Sequence, residues 1–459
     1  MNKTLELQAS KIAEHIKNQE LSLFLGSGIT TVQWDELFKN KKKYDKSNIS
    51  SYLRLQLLAN DQTDFSDFIR EMKDILGNAR LNNKYLGTLV KLNINHIWTT
   101  NFDRNIENIM DENNLNYDAI FKEYKLKNIE SSGKKMIYKI NGDIEDLENS
   151  VITQEQYEKH QERINLFSSF LEKELLIKKF LIIGYSFTDN IILKSIAKLN
   201  NYFNDATNEC FNIIDKKTWN KKRAFYKDLI KRYKITPVIL DSFDDIDNFI
   251  NRIKHYCIIE NIYISGSLNL EANRNNQDLI NDLYNFFEVC FTNNYKIYSN
   301  HGEFLGYHLG ACATKYAYMN NKNYSNYVNI VPIYIDEYKV QYRKASINET
   351  SFTILMYSDN QISYGMIEEF LLSYQNNNCI IPLFFTGKTP RILYEFMLHN
   401  KILFPELDPY WEDLEKINSL KNASHLVIKI IKAIQKNKDK IDRKVDIVDK
   451  LYDFVKNNE

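Results

Sequence analysis

The chain has 459 residues, of which 44% are hydrophobic and 13% aromatic, so it is long enough for two domains with separate hydrophobic cores. Lysine plus arginine and aspartate plus glutamate both number 60, and this balance provides no overall field to attract nucleic acid or an anionic membrane. The five cysteines include no C-x-x-C pair, which argues against a disulfide framework or a four-cysteine zinc site and indicates a reducing cytoplasm.

The N-terminal region predicts a helix followed by a buried strand. Residues 3–20 are amphipathic and lack the apolar core of a signal peptide, and no apolar run along the chain is long enough to span a bilayer. The apolar run Leu21–Leu25 stops at Gly26-Ser27-Gly28, which predicts a tight turn, and a helix is expected near residues 34–38. A strand, a glycine turn and a helix in this order direct backbone N–H groups at a phosphate.

The first half repeats the order of apolar strand, polar loop and helix. Further strands are predicted over residues 94–99, 136–140, 180–183, 210–214 and 236–240, and helices over 51–92, 153–177 and 243–255. This order predicts an open, mostly parallel α/β sheet. Four strands end in polar clusters, at Gly26–Gly28, Thr99–Asp103, Asn141–Asp143 and Gly184–Ser186. Because ligands bind beyond the carboxyl ends of such strands, the four clusters predict one shared pocket.

The order of strand and helix restarts after residue 258, so we predict an N-terminal domain of residues 1–258 and a C-terminal domain of residues 259–459. Strands of the second domain are predicted over 261–267, 295–299, 328–334, 353–357 and 379–385, and helices over 364–376, 388–399 and from about 411 onward. Both domains are expected to be Rossmann-like α/β domains with a parallel sheet.

The four polar clusters resemble those of the sirtuin-like fold in order and spacing, across roughly residues 10–255. Gly26–Thr30 looks like the glycine loop of that fold, and Thr100–Asp103 looks like its Gln-Asn-x-Asp element. Asn141-Gly142 stands where the family has His-Gly, and Gly184–Ser186 looks like its later Gly-x-Ser turn. The absence of a four-cysteine zinc module argues against the deacylases of this fold.

The second half resembles a SLOG domain, a small Rossmann-like nucleotide sensor, in Ser265-Gly266-Ser267, Asn300–Gly306 and Glu368-Glu369-Phe370. A sirtuin-like domain followed by a SLOG domain is similar to the NADase effector family of bacterial Thoeris anti-phage systems. The resemblance implies a cytoplasmic NAD+ hydrolase without a metal. It also implies a homo-oligomer, a tetramer or higher, that is activated when a cyclic ADP-ribose isomer from a TIR-domain partner protein binds the SLOG domain.

The resemblance also implies roles for individual residues. The catalytic positions are Asn101 and Asn141, and the NAD-binding positions are Gly26, Ser27, Gly28, Asp103, Gly184 and Ser186. Asp103 either binds near the substrate or only caps the next helix. The effector-binding positions are Gly266, Ser267, Gly302, Arg343, Lys344 and Glu369. Of these, Arg343 and Lys344 match a basic pair of the family, and Glu369 matches its ribose-contacting acid.

Asn101 has the side chain that cleavage of nicotinamide from NAD+ requires. Nicotinamide leaves as a neutral group, so the site must orient the ribose, exclude bulk water and place one water or hydroxyl. An amide both donates and accepts hydrogen bonds without titrating, and Asn101 suits this role.

Asn141 departs from the family pattern, in which a histidine acts as a base toward a ribose hydroxyl. Asparagine cannot take that proton, and Asn-Gly is also a common turn dipeptide. The chain is an inactivated form, a natural degenerate member, or an enzyme with another base, for which Asp143, His96 and His160 are the nearest candidates. The segment between Gly28 and the helix predicted near residue 34 is also shorter than in the family. Because Asn141 replaces the family histidine, the alternative function is a non-catalytic sensor that binds NAD or another nucleotide.

Overall fold

The computed structural model describes residues 2–30, 51–62, 64–78, 84–128, 134–187, 191–203, 208–273, 275–300, 304–331, 338–436, 441, 443 and 445–458. The chain divides into two compact units, Met1–Cys257 and Ile258–Glu459. Within the described residues, every helix is too short or too polar to cross a membrane. The helix expected near residues 34–38 lies outside the described residues.

The described part of the N-terminal unit contains one sheet of seven parallel strands: β1 Leu21–Leu25, β2 His96–Thr99, β3 Tyr117–Ile120, β4 Lys135–Lys139, β5 Lys179–Ile183, β6 Cys210–Asp215 and β7 Ile235–Leu240. Their order in the sheet is β3-β4-β2-β1-β5-β6-β7. Both faces are covered. Leu23 and Leu25 pack into one core and Phe24 into the other, which explains why β1 has an unbroken apolar sequence.

The helices of this unit that the structure describes are Lys3–Lys17, Ser51–Asn60, Phe65–Asn78, Lys84–Lys91, Asn105–Glu112, Gln154–Lys159, Gln161–Ile177, Ile191–Phe203, Lys216–Lys221, Arg223–Tyr233 and Ile246–Ile258. The helical stretch expected over 153–177 is broken at His160, which ends one helix and precedes the next. The sequence interpretation missed β3, because this edge strand has one buried residue, Ile120, and no apolar run.

The described part of the C-terminal unit contains a second parallel sheet: β8 Asn261–Ser267, β9 Lys296–Asn300, β10 Val328–Val331, β11 Phe352–Ser358 and β12 Cys379–Pro382. Their order is β10-β9-β8-β11-β12. The prediction of two Rossmann-like units with parallel sheets is thus confirmed. β12 is shorter than expected, because the chain leaves the sheet at Phe384–Thr386, which forms a 3-10 turn.

The described helices of the C-terminal unit are Leu270–Asn273, Gln277–Thr292, Leu305–Met319, Lys339–Asn348, Tyr364–Gln375, Lys388–His399, Trp411–Lys416, Leu420–Lys436 and Val448–Lys456. Arg443, which precedes the last of these helices, anchors the C-terminal segment. Its guanidinium pairs with buried Glu406 and lies 5.0 Å and 5.4 Å from the ring centres of Tyr374 and Phe404. It also donates to the carbonyl of Asn378 over 2.6 Å.

Candidate functional site

The four polar clusters of the N-terminal unit follow four strands that are neighbours in the sheet, in the order β4-β2-β1-β5. All of these strands are parallel, so the clusters lie along one edge. From β1 the chain continues to β2 on one side, and later returns to β5 on the other side. The reversal between β1 and β5 is the position at which doubly wound sheets form a ligand crevice.

The glycine turn after β1 packs against the turn after β5. The N–H groups of Gly26 and Gly28 donate to the carbonyls of Ile183 and Gly184 over 2.9 Å and 2.7 Å. A Cβ atom on Gly26 would lie 2.5 Å from the Gly184 carbonyl oxygen, and one on Gly28 would lie 2.7 Å from it. The space left by these missing side chains is therefore occupied by the neighbouring turn. Within this loop, Gly26 is buried, whereas Ser27 and Gly28 are exposed to solvent.

Asn101 is tied to the glycine turn and keeps one acceptor unused. Its backbone N–H donates to Thr99 Oγ1 over 2.9 Å, and Thr99 Oγ1 donates in turn to the Leu25 carbonyl over 2.7 Å. The side-chain Nδ2 of Asn101 donates to the Gly26 carbonyl over 3.2 Å. Although the residue is only 4% exposed, Oδ1 has no hydrogen-bond partner among the described residues. Buried polar atoms without a partner are uncommon in folded proteins, so this oxygen is a candidate contact for a ligand or water.

Asp103 bonds to the first residue of the helix Asn105–Glu112, whose N-cap position is held by Arg104. Its Oδ1 accepts from the Asn105 backbone N–H over 3.0 Å and from Asn105 Nδ2 over 2.6 Å. Burial raises the pKa of Asp103, and the bonds from Asn105 partly oppose that effect. These contacts place the Asp103 carboxylate at the start of that helix, and its role near the substrate stays a prediction.

Asn141 lies beside the Asn101 loop. Its Nδ2 donates to the Thr100 carbonyl over 2.9 Å, and its own carbonyl accepts from the Val151 N–H. Gly142 has φ +106°, and a Cβ there would lie 2.3 Å from Ser150 Oγ, so this turn requires glycine. The Asn-Gly pair is thus a true turn that also presents an amide next to Asn101.

The turn after β5, Gly184–Ser186, has one buried and one exposed side chain. Gly184 has φ +68° and packs against Ile29. Tyr185 is buried, with its ring 4.9 Å from that of Phe24, whereas Ser186 is exposed.

Two of the three candidate replacement bases are engaged elsewhere. His96 is the first residue of β2, so the length of the strand, about 10 Å, separates it from the carboxyl end of β2, after which Asn101 follows. There its Nδ1 contacts Glu174 over 2.7 Å. Asp143 is buried, pairs with Lys139 and accepts from the Glu145 N–H over 2.9 Å. His160 lies at a helix junction, where burial lowers its pKa.

Sequence reasoning missed a buried charge cluster beside these loops. Lys139, at the end of β4, has a fully buried side chain that pairs with Glu107 over 2.7 Å and with Asp143. The signal was present in the sequence, since a lysine inside an apolar parallel strand is buried only if it is paired.

In the C-terminal unit, Arg343 and Glu369 come together at the corresponding edge of the second sheet. Arg343 Nε donates to Glu369 Oε1 over 3.2 Å, and its Nη1 pairs with Glu368. Ser265 at the end of β8 donates to Glu369 Oε2 over 2.6 Å. Burial raises the pKa of Glu369, and the guanidinium of Arg343 opposes that effect. The guanidinium of Arg343 is thus paired with two carboxylates, of which Glu369 is buried.

The other predicted effector positions lie around this cluster or outside the described residues. A Cβ on Gly266 would lie 2.1 Å from Leu305 Cδ1 and 2.4 Å from the Met356 carbonyl, so Gly266 permits close packing. Ser267 and Lys344 are exposed. Gly302 is outside the described residues. Sequence reasoning also missed Tyr263, whose buried hydroxyl accepts from Asn300 Nδ2 over 2.6 Å.

Searched over the described residues, the chain shows no group of three or more histidine, cysteine or acidic side chains arranged to hold a metal ion.

Both units match the models of known protein families. A SIR2-like domain matches residues 95–238, and the Sir2- and TIR-associating SLOG family matches residues 245–438. The chain is 24% identical to an NAD(+) hydrolase ThsA from Enterococcus faecium, over 92% of this chain and 97% of that protein. It is 25% identical to the ThsA of Cytobacillus dafuensis, over 94% and 96%, and 22% identical to that of Acinetobacter baumannii (strain 532279), over 98% of each. The resemblance of the first half to a sirtuin-like domain and of the second half to a SLOG domain is thereby confirmed.

Proposed function

Because this chain joins a SIR2-like domain to a Sir2- and TIR-associating SLOG domain, the combination of the Thoeris effector family, we propose that it is an NAD+ hydrolase that acts in bacterial anti-phage defence. It converts NAD+ and water to ADP-ribose, nicotinamide and a proton, in the cytoplasm. Support comes from relatives named NAD(+) hydrolase ThsA that match the chain over nearly its whole length.

The observation that carries the proposal is the unpaired Oδ1 of Asn101. This oxygen is buried beside the glycine turn, next to the reversal of strand order, and has no partner within the described residues. Leaving a buried acceptor unsatisfied costs about 1–3 kcal/mol, which a hydroxyl or water of the bound state would recover. A ribose hydroxyl, or the water that attacks the ribose, supplies the missing donor.

In the proposed reaction the bond between the ribose C1′ and the nicotinamide nitrogen breaks, and its electron pair leaves with nicotinamide. Positive charge develops on the ribose, and a water adds to C1′ and then loses a proton to solvent. The bond from Asn101 Nδ2 to the Gly26 carbonyl fixes the amide plane, so Oδ1 orients a ribose hydroxyl or this water before the bond breaks. A ribosyl cation reacts with neutral water, so this step needs no strong base.

Asn141 contributes orientation in this proposal. Its Nδ2 holds the Thr100 carbonyl, and thereby the start of the Asn101 loop. We also propose that NAD+ is bound by Gly26, Ser27, Gly28, Asp103, Gly184 and Ser186. Ser27 and Ser186 are exposed, so a ligand that approaches from solvent would meet them first.

We further propose that the C-terminal unit binds a cyclic ADP-ribose isomer, made by a TIR-domain partner protein, and that this binding activates a homo-oligomer, a tetramer or higher. Arg343 would bind a phosphate of the signal and Glu369 a ribose hydroxyl, with Gly266, Ser267, Gly302 and Lys344 around them. The clustering of Arg343, Glu369 and Ser265 supports this assignment.

The test is nicotinamide release from NAD+ by the chain as written, by Asn101→Ala and by Asn141→His, each with and without a cyclic ADP-ribose isomer. We expect turnover that rises with the cyclic nucleotide and is lost in Asn101→Ala. If both the chain as written and Asn141→His bind NAD+ but release no nicotinamide under any condition, the enzymatic proposal is wrong.

The second candidate function is a non-catalytic sensor of NAD or another nucleotide. It is favoured by one observation, that the position of the family base is an asparagine whose Nδ2 is already bonded to Thr100. Turnover by the chain as written that disappears in Asn101→Ala would exclude it.

A further inference from the structure

Lys139 connects the loops that carry Asn101 and Asn141. Its ammonium donates to the Asp103 carbonyl over 2.7 Å and reaches the Phe102 carbonyl over 3.4 Å. It also pairs with Asp143, two residues after Asn141. One buried cation thus bonds to the segment that follows each candidate catalytic amide.

Other contacts join the same two loops at the backbone. The Ile144 N–H donates to the Phe102 carbonyl over 2.7 Å, and the Ile140 N–H donates to the Thr99 carbonyl over 3.0 Å. Asp143 also receives the Glu145 N–H, so its carboxylate is fixed at both oxygens. Lys139 is therefore the centre of a network in which the position of one loop depends on the other.

Burying the charges of Lys139, Glu107 and Asp143 costs desolvation free energy, so the cluster is not explained by stability alone. The side chains of Lys139, Glu107 and Asp143 are 0%, 2% and 3% exposed, and Glu107 Oε2 has no partner among the described residues. Well-packed apolar side chains of similar volume often replace such a buried ion pair without loss of stability. The contacts of the ammonium therefore point to a role in geometry.

Resting on the proposed function, we propose that Lys139 is a positioning residue for NAD+ hydrolysis, which sets the separation and orientation of Asn101 and Asn141. Its ammonium touches neither amide, so it acts through the Phe102–Asp103 backbone and Asp143. Because a displacement of about 1 Å costs an enzyme up to about 100-fold in rate, loosening this link is expected to lower kcat.

The test variant is Lys139→Met with Glu107→Leu and Asp143→Asn in the full chain. It removes the charges of Lys139, Glu107 and Asp143 together, and an asparagine at 143 retains an oxygen for the Glu145 N–H. We expect kcat to fall at least about tenfold, as displacement of catalytic groups does, while the unfolding temperature changes little. Asp143→Asn alone, an isosteric change, is expected to lower kcat in the same direction and serves if the triple variant does not fold.

A matched control removes another ion pair of the same unit. Arg252 Nε donates to Glu6 Oε2 over 2.8 Å, and these side chains are 16% and 13% exposed. Arg252→Met with Glu6→Leu is expected to leave kcat and KM for NAD+ unchanged. Equal losses of kcat in the control and the test variants would mean that the effect is one of general stability, and would overturn the positioning role.

Amide hydrogen exchange separates this inference from the proposed function. We expect the amides of residues 101, 142 and 144 to exchange faster together in the test variants, with exchange in the C-terminal unit unchanged. If both the starting chain and Asn141→His bind NAD+ but release no nicotinamide, the proposed function fails, and the exchange data still report on the loops. Unchanged exchange and unchanged kcat in Asp143→Asn and the triple variant would overturn the role of Lys139.

Discussion

At the scale of single residues, Asn101 has a side chain whose direction is set by the fold. Its Nδ2 bond to Gly26 orients the amide, and Oδ1 is left for a substrate or water. Asp103, two residues later, is occupied by Asn105. The sequence assigned Asn101 a catalytic role and left Asp103 either near the substrate or as a helix cap, and the hydrogen bonds show that only Asn101 keeps an acceptor without a partner among the described residues.

Asn101→Ala is expected to abolish most NAD+ hydrolysis, with kcat reduced about 100-fold or more, as for loss of a positioned group at a reacting centre. The lost Gly26 bond costs only about 1 kcal/mol of folding free energy. Nicotinamide release and urea unfolding measure the two effects separately. A variant that unfolds readily but keeps its kcat would mean that Asn101 is structural.

Asn141→His is expected to make hydrolysis pH-dependent. Neither Asn101 nor Asn141 titrates, so kcat of the chain as written should be flat between about pH 6 and 8. An imidazole acts as a base only when neutral, so kcat of the variant should rise with pH through about 6.5. A parallel profile for both chains, measured by nicotinamide release, would contradict a base role at this position.

At the scale of elements, the glycine turns after β1 and β5 form one packed unit. Gly26 approaches the Gly184 carbonyl so closely that no Cβ fits between them. The same holds in the C-terminal unit, where Gly266 packs against Met356 at the end of β11. At both turns, the space of the missing side chain is occupied by neighbouring atoms of the protein.

Gly26→Ala is expected to destabilise the N-terminal unit by about 1–3 kcal/mol, the usual cost of overpacking, because the Gly184 turn must move. Gly87→Ala is the matched control. Gly87 lies in the helix Lys84–Lys91, and an added Cβ would come no closer than 3.9 Å to its nearest neighbour, Asn113 Nδ2. It should stabilise the unit by up to about 1 kcal/mol. Denaturant unfolding measures the free energy of unfolding of both variants, and an equal change in the two would contradict the packing argument.

The C-terminal segment depends on Arg443 and its partner Glu406, whose side chains are 4% and 7% exposed. Arg443→Met leaves a buried carboxylate without a counter-charge, so we expect a loss of about 3–5 kcal/mol in unfolding free energy. Adding Glu406→Leu removes that charge and should restore much of the stability. Thermal unfolding of the two variants checks this, and a double variant less stable than the single one would refute the explanation.

At the scale of the whole molecule, each unit presents a cluster at the carboxyl edge of its own parallel sheet. The proposed regulation couples the two clusters, since a signal that activates hydrolysis must bind the active arrangement more tightly than the inactive one. Arg343 is paired with both Glu368 and Glu369, so a phosphate has to compete with a carboxylate for the guanidinium.

Glu368→Gln is therefore expected to lower the concentration of cyclic ADP-ribose isomer needed for half-maximal activation, and Arg343→Ala to raise it at least about tenfold, the usual worth of a charged hydrogen bond. Activity at saturating signal should stay the same in Glu368→Gln. Titration of nicotinamide release with the signal measures both. A response to the signal that is unaltered in Arg343→Ala would place the ligand elsewhere.

By itself the sequence determined every strand of the two sheets except β3, the repeated α/β order and the polar clusters that follow four strands of the first half. These features are local, because a buried parallel strand needs an apolar run and a turn needs small or polar residues. Only the tertiary structure decided which side chains meet: Gly26 with Gly184, Lys139 with Glu107 and Asp143, Arg343 with Glu369. Such pairs depend on strand order and on burial, which bring distant residues together and decide whether a charge is paired and whether an acceptor such as Asn101 Oδ1 is left for a ligand.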